Sequence, residues 1–180
     1  MGRHVAVVTT EELTPEQKSA IIVVCVAAHD NAEFENLFRV YIRSGGRHFV
    51  GYSDAQIVSH AVVTTRWLQH DGGAPLKTAF VDAVSTLPDV QGNGHASAVM
   101  RALASGIDDY DVGCLQTDIP EFYERLDWEL WCGPLSGRSG DDLIPTPEQT
   151  GVMILRLERT PVFDLDGSLS IEQQPTRIWE

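Results

Sequence analysis

Apolar and polar positions along this chain repeat with two different periods, and each change of period marks an element. Val5 to Thr10 is a short β-branched run with strand character. Thr14-Pro15-Glu16-Gln17 reads as a helix start, with Thr at the cap, Pro at the first helical position and a Gln able to reach back. That helix is predicted to run to about Ala28. A second helical segment, Glu33 to Arg43, puts Phe34, Leu37, Phe38 and Tyr41 on one face and ends at Gly45-Gly46. Arg47 to Tyr52 and Gln56 to Leu68 read as a hairpin about Ser53-Asp54, and Asp71-Gly72-Gly73 as the next turn. Phe80 to Leu87 is apolar enough for a buried strand, closed by Pro88.

After Pro88 the order continues with a glycine-bearing loop, a helix to about Tyr110 and a strand at Val112 to Gln116. Asp118-Ile119-Pro120-Glu121 is a further capped helix start, followed by a strand at Glu129 to Cys132. Gly133 to Gly151 reads as a turn-rich loop, and Val152 to Leu157 as the last strand. The alternation predicts an α/β (α+β) fold. No repeat or low-complexity tract interrupts the 180 residues, so a single domain over 1–180 is expected.

The loop Gln91-Gly92-Asn93-Gly94-His95-Ala96 carries the most chemistry. A strand that feeds a small-residue turn and then a helix aims backbone N–H groups and a positive dipole end at one spot, which suits a phosphate. A Walker loop is excluded because no Lys is present, and a dinucleotide fingerprint because position 97 is Ser. The strand before the loop carries Asp82 in an otherwise apolar run. A carboxylate there is costly to bury unless it is paired or functional. By strand alternation Asp82 shares a face with Val84 and Thr86.

Composition narrows the partners. Twenty-six acidic residues against 13 Lys and Arg give a net charge of −13. No basic patch exists, which argues against nucleic acid as a partner. An acidic protein attracts cations, although acidity also serves solubility or a saline habitat. The longest apolar stretch, Ala20 to Ala28, is too short to span a bilayer, and no membrane partner is expected. Cys25, Cys114 and Cys132 form no disulfide framework and no zinc spacing, so a cytoplasmic location and no metal are expected. No ligand spacing connects His48, His60 and His95, which read as structural or loop residues.

Gln91, Gly94 and Ala96 fit the pattern Gln/Arg-x-x-Gly-x-Gly/Ala, which resembles the acetyl-CoA pyrophosphate loop of the GNAT (GCN5-related) N-acetyltransferases. Phe122-Tyr123-Glu124-Arg125-Leu126-Asp127-Trp128 is similar to that family's FYERLGW helix end, with Asp127 in place of the usual Gly. The resemblance implies a mixed, mostly antiparallel twisted sheet, splayed at two central parallel strands and flanked by about four helices. It implies acetyl-CoA as co-substrate, held by Gln91, Gly92, Asn93, Gly94, His95 and Ala96 and by the main chain at Val84 and Thr86. It further implies Asp82 as base, a backbone N–H near Val84 as oxyanion donor and Tyr123 as general acid to the CoA sulfur. Asp82 as a salt-bridged carboxylate and Tyr123 as a core residue are the alternative readings.

Within that family the chain is most similar to the aminoglycoside 2′-N-acetyltransferases. The shared features are Val81-Asp82-Ala83-Val84-Ser85-Thr86, Trp128-Glu-Leu-Trp131-Cys-Gly133-Pro134, Thr146-Pro147-Glu148 and a tryptophan, Trp179, near the C-terminus. The resemblance implies transfer of acetyl to an amino group, the 2′ one, of an aminoglycoside in a ternary complex, a role in antibiotic resistance and a homodimer. Carboxylates for the cationic substrate would come from Asp30, Glu33, Glu35, Asp82, Glu148 and Glu180, with Asp141 and Asp142 also in reach. Trp179 either packs on a sugar face or anchors the tail, and Trp131 reads as core. Three departures stand out: Asp82 is one methylene shorter than the subgroup's Glu, Asn93 replaces a common basic residue, and Glu180 displaces the terminal carboxylate by one position. A GNAT acting on a protein N-terminus, a lysine or a small amine, and a non-catalytic acyl-CoA-binding module, are the alternatives.

Overall fold

Thr14 caps the first helix as its sequence requires. The Gln17 N–H donates to Thr14 Oγ1 at 3.2 Å and the Thr14 N–H to Gln17 Oε1 at 3.0 Å, so two orphan donors are satisfied reciprocally. The computed structural model describes residues 2–30, 44–175 and 178–179. Its elements are β1 (Arg3–Thr9), α1 (Pro15–His29), β2 (Arg47–Ser53), β3 (Gln56–His70), β4 (Leu76–Thr86), a 3₁₀ turn (Pro88–Val90), α2 (His95–Ser105), β5 (Val112–Gln116), α3 (Pro120–Glu124), β6 (Glu129–Leu130), β7 (Leu135–Ser139), β8 (Asp142–Pro145), β9 (Val152–Arg156) and β10 (Leu169–Glu172). The fold is mixed α/β with a mixed sheet, as the sequence predicts. Three α-helices fall among the described residues. The helix expected over Glu33 to Arg43 lies outside them, and so do Glu33, Glu35 and Glu180.

The chain forms two compact units, Met1–Thr64 with Val81–Gly106, and Thr65–Phe80 with Ile107–Glu180. Strands β3 and β4 each contribute to both. In the first unit β1, β2 and β3 pair antiparallel, from Arg3↔Ser53 to Thr9↔Arg47 and on to Arg47↔Val63. The second half of β4 follows β3, with the Leu87 N–H donating to the Val58 carbonyl at 2.9 Å. Helix α1 buries Ile21, Val24 and Cys25 against Val50 and Ile57, with Ala83 and Leu87 packed on that cluster. Gly51 lets α2 approach β2, since a Cβ there would stand 2.9 Å from the Val99 side chain.

In the second unit β9 lies between β6 and β5, all antiparallel. Strand β10 pairs antiparallel with β3 and parallel with β7, and β8 closes a hairpin with β7. Leu68, Phe80, Val112, Ile154, Leu169, Ile171, Trp131 and Trp179 share one core, which places Trp131 where the sequence put it. Arg66, fully buried, donates from Nε to Glu172 Oε1 at 3.2 Å and lies 4.9 Å from the centroid of the Phe80 ring.

Several boundaries differ from expectation. The segment Gly133 to Gly151, expected as loop, holds the β7–β8 hairpin, and β10 follows what read as the last strand. Strand β4 begins at Leu76 rather than Phe80, and α2 ends at Ser105, where Gly106 stops it, rather than near Tyr110. The helix after Asp118 has only five residues, and no side chain caps its start at Ile119.

Candidate active site

In the first unit β4 delivers Asp82 and then departs from regular strand geometry. Ala83 has φ +51°, the left-handed region that costs an L-residue roughly 1–2 kcal/mol. A left-handed residue between Asp82 and Val84 breaks the two-residue alternation, so their common face no longer follows from spacing. Val81 is buried, Asp82, Ala83 and Val84 are half-buried, and Ser85 and Thr86 are buried again. The Ser59 hydroxyl donates to the Ser85 carbonyl at 2.9 Å and lies 2.8 Å from Thr86 Oγ1. His29, at the end of α1, meets the Ser85 hydroxyl at 3.1 Å, and its partial burial holds its pKa below the ordinary value.

The strand is tied to the loop by Gln91, whose side-chain amide donates to the Thr86 carbonyl at 3.1 Å. This gives Gln91 a structural reason to open the motif. Within the loop the Gln91 N–H donates to Pro88 and the Asn93 N–H to Val90, at 3.2 and 3.4 Å. Gly92 and Gly94 have φ +75° and +80°, and Gly94 is the N-cap of α2 without any capping side chain. The first N–H groups of an α-helix have no partner within it, and the dipole adds positive potential there. Gln91, Gly92, Asn93 and Gly94 are exposed, with only small side chains beyond Gln91 and Asn93. Such a cradle suits a phosphate group.

Arg3 is the residue that sequence reading missed. Its guanidinium Nη1 would stand 3.3 Å from a Cβ at Gly94, so β1 brings a cation beside a loop that carries none of its own. Linear spacing gave no signal, because 91 positions separate the two and only the β1–β2–β3 pairing carries Arg3 there. His95, buried in the first turn of α2, is held below its ordinary pKa by burial and then by Arg3.

The second unit holds Tyr123, Glu148 and Trp179. Tyr123 is buried beside Trp128, edge to face at 6.2 Å. Burial pushes its phenol up to about 12, against an opposing hydrogen bond from Thr117. It remains protonated at any working pH. The chain leaves α3 through a Schellman turn. The Trp128 N–H donates to the Tyr123 carbonyl at 3.2 Å and the Asp127 N–H to Glu124 at 3.2 Å, with Asp127 at φ +66°. The Asp therefore occupies a left-handed position where glycine is the strain-free residue, which accounts for the Gly of the FYERLGW pattern and leaves strain at Asp127. Trp179 is 1 % exposed, and its indole N–H donates to Thr146 Oγ1 at 3.1 Å, which ties the tail to this unit. Asp30, in left-handed conformation at the end of α1, and Glu148 are exposed.

Residues 11–131 match the family model of the acetyltransferase (GNAT) domain. The chain is 31 % identical over 132 residues to an aminoglycoside 2′-N-acetyltransferase of Mycolicibacterium fortuitum, covering 71 % of this chain and 67 % of that one. Among solved structures, Eis1 from Mycobacterium abscessus superposes with TM-score 0.61 at 17 % identity, over 74 % of this chain and 32 % of that one. A GNAT family acetyltransferase from Brucella melitensis, in complex with acetyl-CoA, gives TM-score 0.59 at 17 % identity, over 92 % and 94 %. The chain thus spans about a third of Eis1 and nearly the whole of the Brucella protein. On the strand–loop–helix cradle and the family match together, this chain belongs to the GNAT acetyltransferases.

Proposed function

We propose that the protein transfers acetyl from acetyl-CoA to an amino group of an aminoglycoside, the 2′ one. The uncapped, glycine-opened N-terminus of α2 carries the acyl-donor half of this reading. The relative from M. fortuitum supports the acceptor half, and the net charge of −13 suits a polycation. Bound there, acetyl-CoA supplies the activated acyl group. Asp82 takes the proton from the incoming ammonium, directly or through a water that makes up for its short side chain. The Val84 N–H donates to the carbonyl oxygen as negative charge develops on it. Tyr123 donates to the departing sulfur. Burial that pushes the phenol up to about 12 keeps its proton in place until the sulfur departs. Asp30 and Glu148 hold cationic groups of the acceptor.

The test is thiol release from acetyl-CoA with aminoglycosides that carry or lack a 2′-amine. Turnover confined to the 2′-amino compounds is expected. Turnover with compounds lacking that amine overturns the regiochemistry, and none with any aminoglycoside overturns the substrate class.

A further inference from the structure

A line of hydrogen-bonded groups runs through the interior of the first unit to the irregular point of β4. Thr10 Oγ1 lies 2.9 Å from His48 Nε2, His48 Nδ1 lies 3.0 Å from His60 Nε2, and His60 Nδ1 lies 3.2 Å from the Ala83 carbonyl oxygen. Both imidazoles are fully buried. The proton positions follow from the far end. A carbonyl only accepts, so His60 Nδ1 carries the hydrogen. A neutral His60 then accepts at Nε2 and His48 donates from Nδ1, so His48 Nε2 accepts; the Thr10 hydroxyl, which also lies 3.3 Å from the Gly46 carbonyl, shares its one proton between that oxygen and His48 Nε2. Burial keeps both rings neutral, pushing His60 to about 3 and His48 to about 4. The two imidazole links therefore run in one direction toward the Ala83 carbonyl, with Cys25 Sγ also 3.9 Å from His60 Nδ1.

We infer that His60, oriented by His48 and Thr10, is a positioning residue for acetyl transfer: by holding the Ala83 carbonyl it aims the Val84 N–H. Ala83 C=O and Val84 N–H belong to one peptide plane and point in opposite directions across it. Pinning the oxygen toward His60 turns the Val84 N–H away from the interior, and a left-handed residue at 83 is what permits that plane to rotate. Held this way the donor is set before any acyl group arrives, which is the condition for effective oxyanion stabilisation. The inference rests on the acetyl-transfer reading of this site.

His60→Leu and His60→Asn test it, because Asn can place an amide N–H near the former Nδ1 and Leu cannot. A misdirected donor costs less than a deleted one, so kcat of His60→Leu should fall about tenfold or more. KM for acetyl-CoA should stay within about twofold, since the loop is untouched, and His60→Asn should recover to within about threefold of the parent kcat. Unchanged kcat in His60→Leu, or equal loss in both variants, overturns the inference and leaves His60 a packing residue. The backbone amide resonance of Val84 gives a readout independent of turnover. Its shift should differ between acetyl-CoA and CoA in the parent and in His60→Asn, and not in His60→Leu. The same difference in all three also overturns the inference. A parent that acetylates no amine but shows the Val84 response defeats the proposed function and leaves the positioning role standing. Should His60→Leu fail to fold, Thr10→Val removes the outermost donor, together with its contact to the Gly46 carbonyl. It should shift the ring ¹⁵N resonances of His60 and lower kcat about twofold, and failure of both effects refutes the relay.

Discussion

Removing the Arg3 guanidinium should weaken acetyl-CoA binding, and by an amount the geometry bounds. The guanidinium stands 3.3 Å from the Cβ position of Gly94, at the mouth of the α2 N-terminus. A phosphate in that cradle would lie about 5 Å from the charge, worth roughly 0.8 kcal/mol at the dielectric of water and about 3 kcal/mol at an effective value near 20. Arg3 is exposed, so the lower part of that range applies and about 1 kcal/mol is expected, a roughly fivefold rise in Kd for Arg3→Ala. Screening supplies the control. The Debye length falls from about 10 Å at 0.1 M salt to about 3 Å at 1 M, so the difference between parent and variant should shrink with salt. Arg3→Lys keeps the charge and should lose about twofold or less. Titration calorimetry with acetyl-CoA at low and high ionic strength measures all three. Equal affinity of parent and Arg3→Ala at low salt would refute the role, and a difference independent of salt would show that it is not electrostatic.

Four further outcomes follow from the same geometry. Tyr123→Phe should lower kcat by about a hundredfold or more while leaving the acetyl-CoA Kd unchanged; because the phenol titrates near 12, the parent rate should show no loss from its ionisation between about pH 7 and 10. Asp127→Gly should relieve left-handed strain and gain about 0.5–1 kcal/mol net, read as a Tm rise of about 1–4 °C, whereas Asp127→Ala should not. Gly151→Ala combines φ +70° with a Cβ driven into the Thr117 carbonyl. It should cost about 2 kcal/mol or more and disturb the Thr117 contact to Tyr123, checked by denaturant midpoint and by kcat. His48 and His60 bind protons more readily unfolded than folded, so the stability they confer is complete above about pH 6.5 and declines as pH falls toward 4. Urea midpoints at pH 7, 6 and 5 should drop in that order, and less steeply in His60→Asn.

The parts of this protein that speak through local chemistry were legible in its sequence. Thr14, Pro15 and Gln17 announce a capped helix because capping is an interaction between neighbours, and the structure has it. Gln91 to Ala96 announce a loop–helix junction because glycine has few other reasons to recur there. What depends on distant partners was hidden. Leu135 to Ser139 and Asp142 to Pro145 are short runs set among turn residues, and only pairing makes them strands. Val81 to Thr86 reads as an unbroken strand, since nothing in the identity of Ala83 betrays a left-handed residue. Its conformation answers to His60, 23 positions earlier. Asp127 was visible as a departure, but its meaning waited on the backbone angle. Arg3 gave no signal at all.

Strand β10 has a consequence of a different kind. It emerges in synthesis after the strands it joins, yet it ends up between β3 and β7, and Glu172 reaches back 106 positions to Arg66. Vectorial folding, in which early segments settle while later ones are still being made, therefore stops short for this unit. Until β10 arrives, the edges of β3 and β7 that it will cover stay open to any strand, including one from another nascent chain. A frameshift or protease cut just before Leu169 removes the middle of a sheet rather than a tail, and its product belongs to quality control rather than to a weakened enzyme.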